Sequence, residues 1–175
     1  PASVPVQPSP NGSPSAPPAL TETFTSAMHG LSVSYPAGWV TKAATEPWTT
    51  AEWSFEDPKV DIVHDPSLDD HLFLGLGSLP LAANSADQWI ADRMAAYECS
   101  ATEPVTVDGA SGSICVDGAL ALVSTGGRGY MILAYTSGDE GWLDAVYDRT
   151  WFEKVLATVD LRPEDAVDPP PSATP

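Results

Sequence analysis

The chain has 175 residues, enough for one domain with a hydrophobic core. Seven Lys and Arg stand against 24 Asp and Glu, which gives a formal net charge of −17. A surface this acidic repels phosphate groups, so the composition excludes charge-driven binding to nucleic acids and to anionic membrane surfaces. No run of about 18 apolar residues occurs, so we expect no membrane span.

Residues 1–22 are predicted to be a disordered linker. They read PASVPVQPSPNGSPSAPPALTE and show no hydrophobic period. Such a segment cannot bury enough apolar surface to offset its ordering entropy. Because the chain begins with Pro1 and not with Met, we expect a mature product whose signal segment has been removed. The expected location is therefore extracytoplasmic, secreted or lipid-anchored at a bacterial cell surface.

A hairpin opens the folded domain, which we expect to span residues 23–162. Leu31, Val33 and Tyr35 alternate with polar residues as in a half-buried strand, and a turn at residues 36–38 precedes Trp39. The pattern runs from Phe24-x-Ser26 to His29-Gly30-Leu31-Ser32-Val33-Ser34-Tyr35-Pro36-Ala37-Gly38-Trp39. It resembles the opening hairpin of PsbP-like domains, which bacterial secreted lipoproteins of unknown function share.

The resemblance extends from Phe24 to Arg162. It takes in a late Gly129-Tyr130 strand and a final helix that contains Trp151-Phe152. It implies an α+β fold in which a central antiparallel sheet of about six or seven strands is flanked by two main helices. Members of the superfamily range from photosystem accessory subunits to Ran-binding factors, so the resemblance implies a fold and no single activity.

Two tryptophans precede the second predicted strand, in a loop rich in Pro, Thr and Glu. Trp48 and Trp53 are the two of the six tryptophans that we expect to be most exposed. Exposed rings beside acidic side chains could stack on a sugar, whereas ordinary core packing is the alternative.

A polar loop joins the predicted strands at residues 59–63 and 72–77. It contains the candidate metal ligands His64, Asp65, Asp69 and His71. Two imidazoles with carboxylates suit Zn²⁺ or Mn²⁺, and carboxylates alone suit Ca²⁺. A turn forced by Pro66 would bring the two imidazoles together. The spacing matches no dedicated motif, and a solvated acidic loop is the alternative.

The second half begins with a predicted helix. Ser85 and Gln88 have the spacing of a capping box, and an amphipathic pattern follows as far as Tyr97. Residues 103–136 then form a predicted four-strand meander whose turns are Asp-Gly, Asp-Gly and Gly-Gly-Arg-Gly. A second capping box, from Thr150 to Glu153, opens the last predicted helix, and residues 163–175 are expected to be a disordered tail.

The two cysteines lie on either side of the start of the meander. Cys99 follows the first predicted helix, and Cys115 points to the strand face opposite Ile114. A Cys99–Cys115 disulfide would attach the end of the helix to the sheet and contribute about 3 kcal/mol. Two buried thiols are the alternative.

Known catalytic motifs are absent from the sequence. It contains no P-loop, no dinucleotide fingerprint and no serine-hydrolase elbow, and His29 lies inside the hairpin motif, where a structural role is expected. We therefore predict a monomeric, non-enzymatic accessory or ligand-binding domain without a cofactor, a divalent cation in the 57–71 loop excepted. Its partner would be a protein or another envelope component. The alternatives are a cell-wall carbohydrate-binding module and a metal-dependent enzyme that uses the 57–71 loop.

Overall fold

The structure, a computed structural model, describes residues 16–49, 54–83, 85–116, 119–137 and 146–167. The strands of these ranges are β1 Leu20–Ser26, β2 Leu31–Pro36, β3 Val40–Lys42, β4 Asp61–His64, β5 Leu72–Pro80, β6 Thr102–Val107, β7 Ala110–Cys115, β8 Ala119–Thr125, β9 Arg128–Thr136 and β10 Asp160–Leu161. The helices are α1 Ala86–Ala96 and α2 Arg149–Leu156, with short 3₁₀ helices at Asp69–His71 and Pro163–Asp165. No helix in this described part is long and apolar enough to cross a membrane.

The strands form two antiparallel sheets. A seven-stranded sheet has the order β3-β4-β5-β9-β8-β7-β6, and a three-stranded sheet has the order β1-β2-β10. Strands β6 to β9 follow one another in both sequence and space, so the predicted meander is confirmed. Asp108, Gly109, Gly126 and Gly127 have the positive φ angles that its tight turns require. The predicted α+β fold with two helices beside an antiparallel sheet is confirmed.

Each face of the large sheet carries its own hydrophobic core. On one face, the small sheet and α2 bury side chains that include Leu31, Val33, Trp151 and Phe152. On the other face, α1 packs Trp89, Ile90 and Met94 against β7, β8 and β9. The alternation of side chains along each strand supplies both cores, because successive residues point to opposite faces.

The predicted disulfide is present at the end of α1. Cys99 and Cys115 are bonded, with Cα atoms 5.6 Å apart, a usual separation for a disulfide. Cys115 belongs to the core on the α1 face, as the strand alternation predicted. The bond therefore attaches the segment after α1 to strand β7.

The ends of the folded domain differ from the prediction. Strand β1 begins at Leu20, inside the predicted linker, and pairs with the end of β2. The chain also stays packed beyond residue 162, since the amide of Val167 donates to the carbonyl oxygen of Met28 at 3.0 Å. Backbone pairing with the opening hairpin orders both segments, although their side chains show no hydrophobic period.

Both predicted capping boxes are wrong in detail. The Ser85 hydroxyl donates to the Ala82 carbonyl, and the helix start receives no side-chain cap. In α2 the cap is Asp148, whose carboxylate accepts the amide of Trp151 at 2.9 Å. Thr150 lies inside that helix. An Asp two residues earlier provides the same bond, because a carboxylate caps as well as a hydroxyl.

Candidate ligand-binding site

An open cleft of about 570 Å³ lies on the α1 face of the large sheet. It is bounded by the end of α1, by strands β5 and β9, and by the segment around Phe55. The described residues that line it are Ser54, Phe55, Asp70, Phe73, Ala96, Tyr97, Leu133 and Tyr135. Four of these eight are aromatic, and we call this site the aromatic cleft.

Strand pairing brings two of the rings together. Phe73 on β5 lies opposite Tyr135 on β9, and their rings stack with centroids 5.0 Å apart and planes inclined by 29°. Phe73 is nearly buried, whereas Tyr135 is 42% exposed. Because one face of the Tyr135 ring lies on Phe73, solvent reaches this ring through its other face and edges.

The other two rings are held by neighbouring side chains. The Phe55 ring lies 5.3 Å from that of Phe73 and 5.0 Å, edge-on, from that of His64. Tyr97 ends α1, and its hydroxyl lies 3.2 Å from the sulfur of Met131. These contacts fix the walls without a ligand, and a pre-formed apolar cleft with few polar groups is typical of small-molecule sites.

Beside the cleft residue Asp70 lie a His and a Ser that are not part of the described cleft lining. The Nδ1 atom of His71 lies 3.0 Å from Oγ of Ser137, and the Asp70 carboxylate lies 3.9 Å from Nε2 of His71. The second distance exceeds a hydrogen bond, and the Asp70 and His71 side chains are 65% and 57% exposed. The series Ser137, His71 and Asp70 resembles the Ser-His-Asp triad of hydrolases. In such a triad a buried carboxylate accepts a hydrogen bond from the histidine and orients it, whereas Asp70 is exposed and too far from His71 for this bond.

Comparison with known proteins finds similarity at the level of fold. No family model matches the chain, and no curated protein matches it. The solution structure of cyanobacterial PsbP (CyanoP) from Synechocystis sp. PCC 6803 matches with a TM-score of 0.47 and 12% identity, over 87% of this chain and 99% of that one. A crystal structure from Bacteroides thetaiotaomicron VPI-5482 matches with a TM-score of 0.45 and 14% identity, over 82% of this chain and 49% of that one.

The first of these structures is a PsbP, the superfamily that the opening hairpin resembles. At these identities the likeness concerns the fold alone. The matches carry no information about the ligand or the activity of this chain, which have to be argued from its own residues.

The predicted metal ligands do not come together as a set among the described residues. His64 packs against Phe55, and its buried Nδ1 atom has no hydrogen-bond partner among the described residues. Asp65 accepts from Ser67, and His71 contacts Ser137. The Asp69 side chain lies outside the described part. In that part, no group of three or more His, Cys, Asp or Glu side chains is placed to hold a metal ion.

The stacking role predicted for Trp48 is wrong, and Trp53 lies outside the described residues. Trp48 is only 3% exposed and makes an edge contact with Trp89, with centroids 6.5 Å apart. The absence of a side chain at Gly77 makes the burial possible, because a Cβ atom there would lie 3.1 Å from the Trp48 ring. Trp89 rests in the same way on Gly129, where a Cβ would lie 2.7 Å from its ring.

A second groove runs between α1 and strands β7 and β8. It measures about 790 Å³. Its floor presents hydroxyls such as Ser111, Ser113 and Ser124, and α1 contributes Ile90 and Met94. Aromatic side chains do not contribute to its described lining, so it offers less specific contact area than the aromatic cleft.

A buried polar cluster links the β1–β2 turn to β5. His29 is 1% exposed; its Nδ1 accepts the amide of Ser78 at 3.1 Å, and its Nε2 lies 3.0 Å from the Lys59 carbonyl oxygen. An amide can only donate and a carbonyl can only accept, so His29 is neutral with its proton on Nε2. Burial lowers the pKa of His29, in agreement with this geometry.

Asp61 is the second ionisable member of this cluster. One carboxylate oxygen accepts the Ala44 amide at 2.7 Å, and the other is buried without a hydrogen-bond partner among the described residues. Burial raises the pKa of Asp61, while the hydrogen bond from the Ala44 amide opposes the increase. Neither His29 nor Asp61 lines the aromatic cleft, so their hydrogen bonds serve the fold, as the hairpin motif predicted for His29.

Sequence reasoning missed the cleft residues Phe55, Tyr97 and Tyr135. The sequence contained a signal for Tyr135, because strand alternation places it on the same face as Met131 and Leu133, the face that α1 covers. A helix of eleven residues is too short to cover this face as far as Tyr135. The positions of Phe55 and Tyr97 depend on how a loop and a helix end meet the sheet, which no local pattern encodes.

Proposed function

We propose that the chain is an extracytoplasmic accessory domain that binds a small ligand in the aromatic cleft without transforming it. The observation that carries the proposal is the half-exposed Tyr135 ring, stacked on Phe73 at the open side of a pre-formed cleft. An aromatic ring left exposed beside a concavity supplies contact area at small entropic cost, since its side chain has only two torsions.

Several observations support an extracytoplasmic location. Disulfides persist in oxidising compartments, and Cys99 and Cys115 form one. The Pro- and Ser-rich residues 1–19 have the composition of a tether that holds a domain away from a surface.

The groups that face the cleft support the proposal of binding without turnover. Among the described residues, four aromatic rings, two aliphatic side chains, one serine and one carboxylate line it, and two of the rings are those of tyrosines. Aromatic walls give affinity and orientation, while the adjacent Ser137–His71–Asp70 series lacks the geometry for nucleophilic catalysis.

A thermal-shift measurement tests the proposal. In a panel of small planar fragments such as indole, we expect members that raise Tm by roughly 3 to 6 °C at about ten times their Kd, because ligands that bind only the folded state stabilise it by mass action. Tyr135→Ala should abolish these increases, because it removes the exposed stacking surface.

The matched control is Val40→Ala, which shortens a side chain of the same 42% exposure on strand β3, outside the cleft. Increases in Tm are compared within each variant, so a lower starting Tm in Tyr135→Ala does not affect the result. Equal increases in wild type and Tyr135→Ala, or no increase with any fragment, would contradict the proposed function.

A further inference from the structure

We propose that the ligand of the aromatic cleft is an organic cation, an ammonium or quaternary ammonium group carried on a small apolar body. This inference rests on the proposed function and adds the chemical class of the ligand. Three features of the cleft carry it: the aromatic rings, the carboxylate at the edge, and the positions of the basic side chains.

The rings supply the first feature. The face of an aromatic ring is the negative end of its quadrupole, and it attracts a cation within about 6 Å of the ring centroid. Phe55, Phe73 and Tyr135 form a connected series with centroid separations of 5.3 and 5.0 Å, and Tyr97 closes the cleft from the helix side.

Asp70 supplies the second feature. It is the only carboxylate among the described lining residues, and its side chain is 65% exposed. The Nε2 atom of His71 lies 3.9 Å from this carboxylate. A carboxylate beside aromatic faces gives a cation an ionic partner at the edge of a site that otherwise attracts it by weaker forces.

The positions of the basic residues supply the third feature. The seven Lys and Arg of the chain all lie in described parts, and none lines the cleft. Arg149 pairs with Glu103 and Glu153 elsewhere on the surface. Lys42 comes near the Phe55 backbone, but its ammonium is engaged by the Phe55 carbonyl oxygen and by Glu56, at 3.4 and 3.2 Å.

The net charge of the whole chain also favours a cationic ligand. A net charge of −17 raises the concentration of cations near the surface and disfavours anionic ligands. A neutral aromatic compound would use the same rings but would gain no ionic attraction from Asp70. This difference separates the two ligand classes experimentally.

Choline and its neutral isostere 3,3-dimethylbutan-1-ol provide the test, since they differ by the replacement of a quaternary nitrogen by carbon. In titrations followed by NMR, both compounds should shift the resonances of Phe55, Tyr97 and Tyr135, and choline should bind about tenfold more tightly. Asp70→Asn should weaken choline binding several-fold and leave the isostere unchanged. Tyr135→Leu should weaken choline more than the isostere, because leucine keeps apolar contact but has no π face.

Asp87→Asn is the control for charge, because it removes an exposed carboxylate from the other groove along α1 and should not change choline binding. Equal or tighter binding of the isostere at the cleft would overturn the cation inference and leave the proposed function standing. Choline that produces no shifts at the cleft would also overturn it, whereas the proposed function is decided separately by the fragment panel.

Discussion

Gly30→Ala is expected to lower the free energy of unfolding by about 2 to 5 kcal/mol, from the sum of backbone strain and overpacking. Gly30 has φ of +61°, a conformation that disfavours every side chain. A Cβ atom there would collide with the Arg162 carbonyl oxygen and lie 2.8 Å from the Ala166 amide nitrogen. Both are backbone atoms of the C-terminal segment, which donates an amide of its own to the Gly30 carbonyl at 2.8 Å.

Gly38→Ala separates the two causes. Gly38 also has a positive φ, +85°, but a Cβ atom there would meet nothing within 4 Å. The free energy of unfolding of this variant should therefore fall only by the cost of the backbone strain, about 1 to 2 kcal/mol. Urea unfolding of both variants measures the difference, and equal losses would show that the C-terminal segment does not pack on Gly30 as described.

His29→Leu is expected to destabilise the fold by about 2 to 5 kcal/mol, because it leaves two buried backbone groups without partners. These are the Ser78 amide and the Lys59 carbonyl. The loss should appear in urea unfolding at neutral pH. A loss below about 1 kcal/mol would mean that water replaces the imidazole and that His29 does not link the hairpin to β5.

The buried imidazole of His29 also makes the free energy of unfolding depend on pH. The folded pKa of His29 lies below its ordinary value of 6.5 because burial disfavours the charged form. Below pH 6.5 the unfolded chain takes up a proton that the folded chain does not, so the His29 contribution is intact above 6.5 and declines as the pH falls toward the folded pKa. His29→Leu should remove this part of the decline, and His71→Gln, a change at an exposed imidazole, should leave it in place.

Asp61 changes the free energy of unfolding in the opposite direction, and it does so at lower pH. Its folded pKa lies above the ordinary 3.8, so its contribution is full below 3.8 and is lost as the pH rises through the folded value. The difference between wild type and His29→Leu at each pH removes the effects of distant titrating groups and measures His29 together with its coupling to Asp61.

The elements with strong local patterns could be predicted from the sequence, and the features that depend on packing could not. The meander followed from Asp-Gly and Gly-Gly turns between apolar runs, and the disulfide from the side alternation at Cys115. Trp48 was predicted to be exposed because its loop is polar. The glycine that makes room for its ring lies 29 residues later, and only the tertiary fold brings the two together.

The candidate site shows the same limit. The sequence drew attention to the charged 57–71 loop, whereas the structure gives this region a different chemistry. His64 supports Phe55 by an edge contact, and Asp70 lies beside rings from β5 and β9. The relevant register, Phe73 opposite Tyr135, joins residues 62 positions apart, so the cleft could not be recognised from spacing within the loop.

Intermolecular NOEs measure most directly where a ligand binds on this domain. With the fragment that gives the largest increase in Tm, we predict NOEs from the ligand to the ring protons of Tyr135 and Tyr97. NOEs to the side chains of Ile90 and Met94, in the groove on the other side of α1, without any to the two tyrosine rings, would contradict the central claim that the aromatic cleft is the binding site.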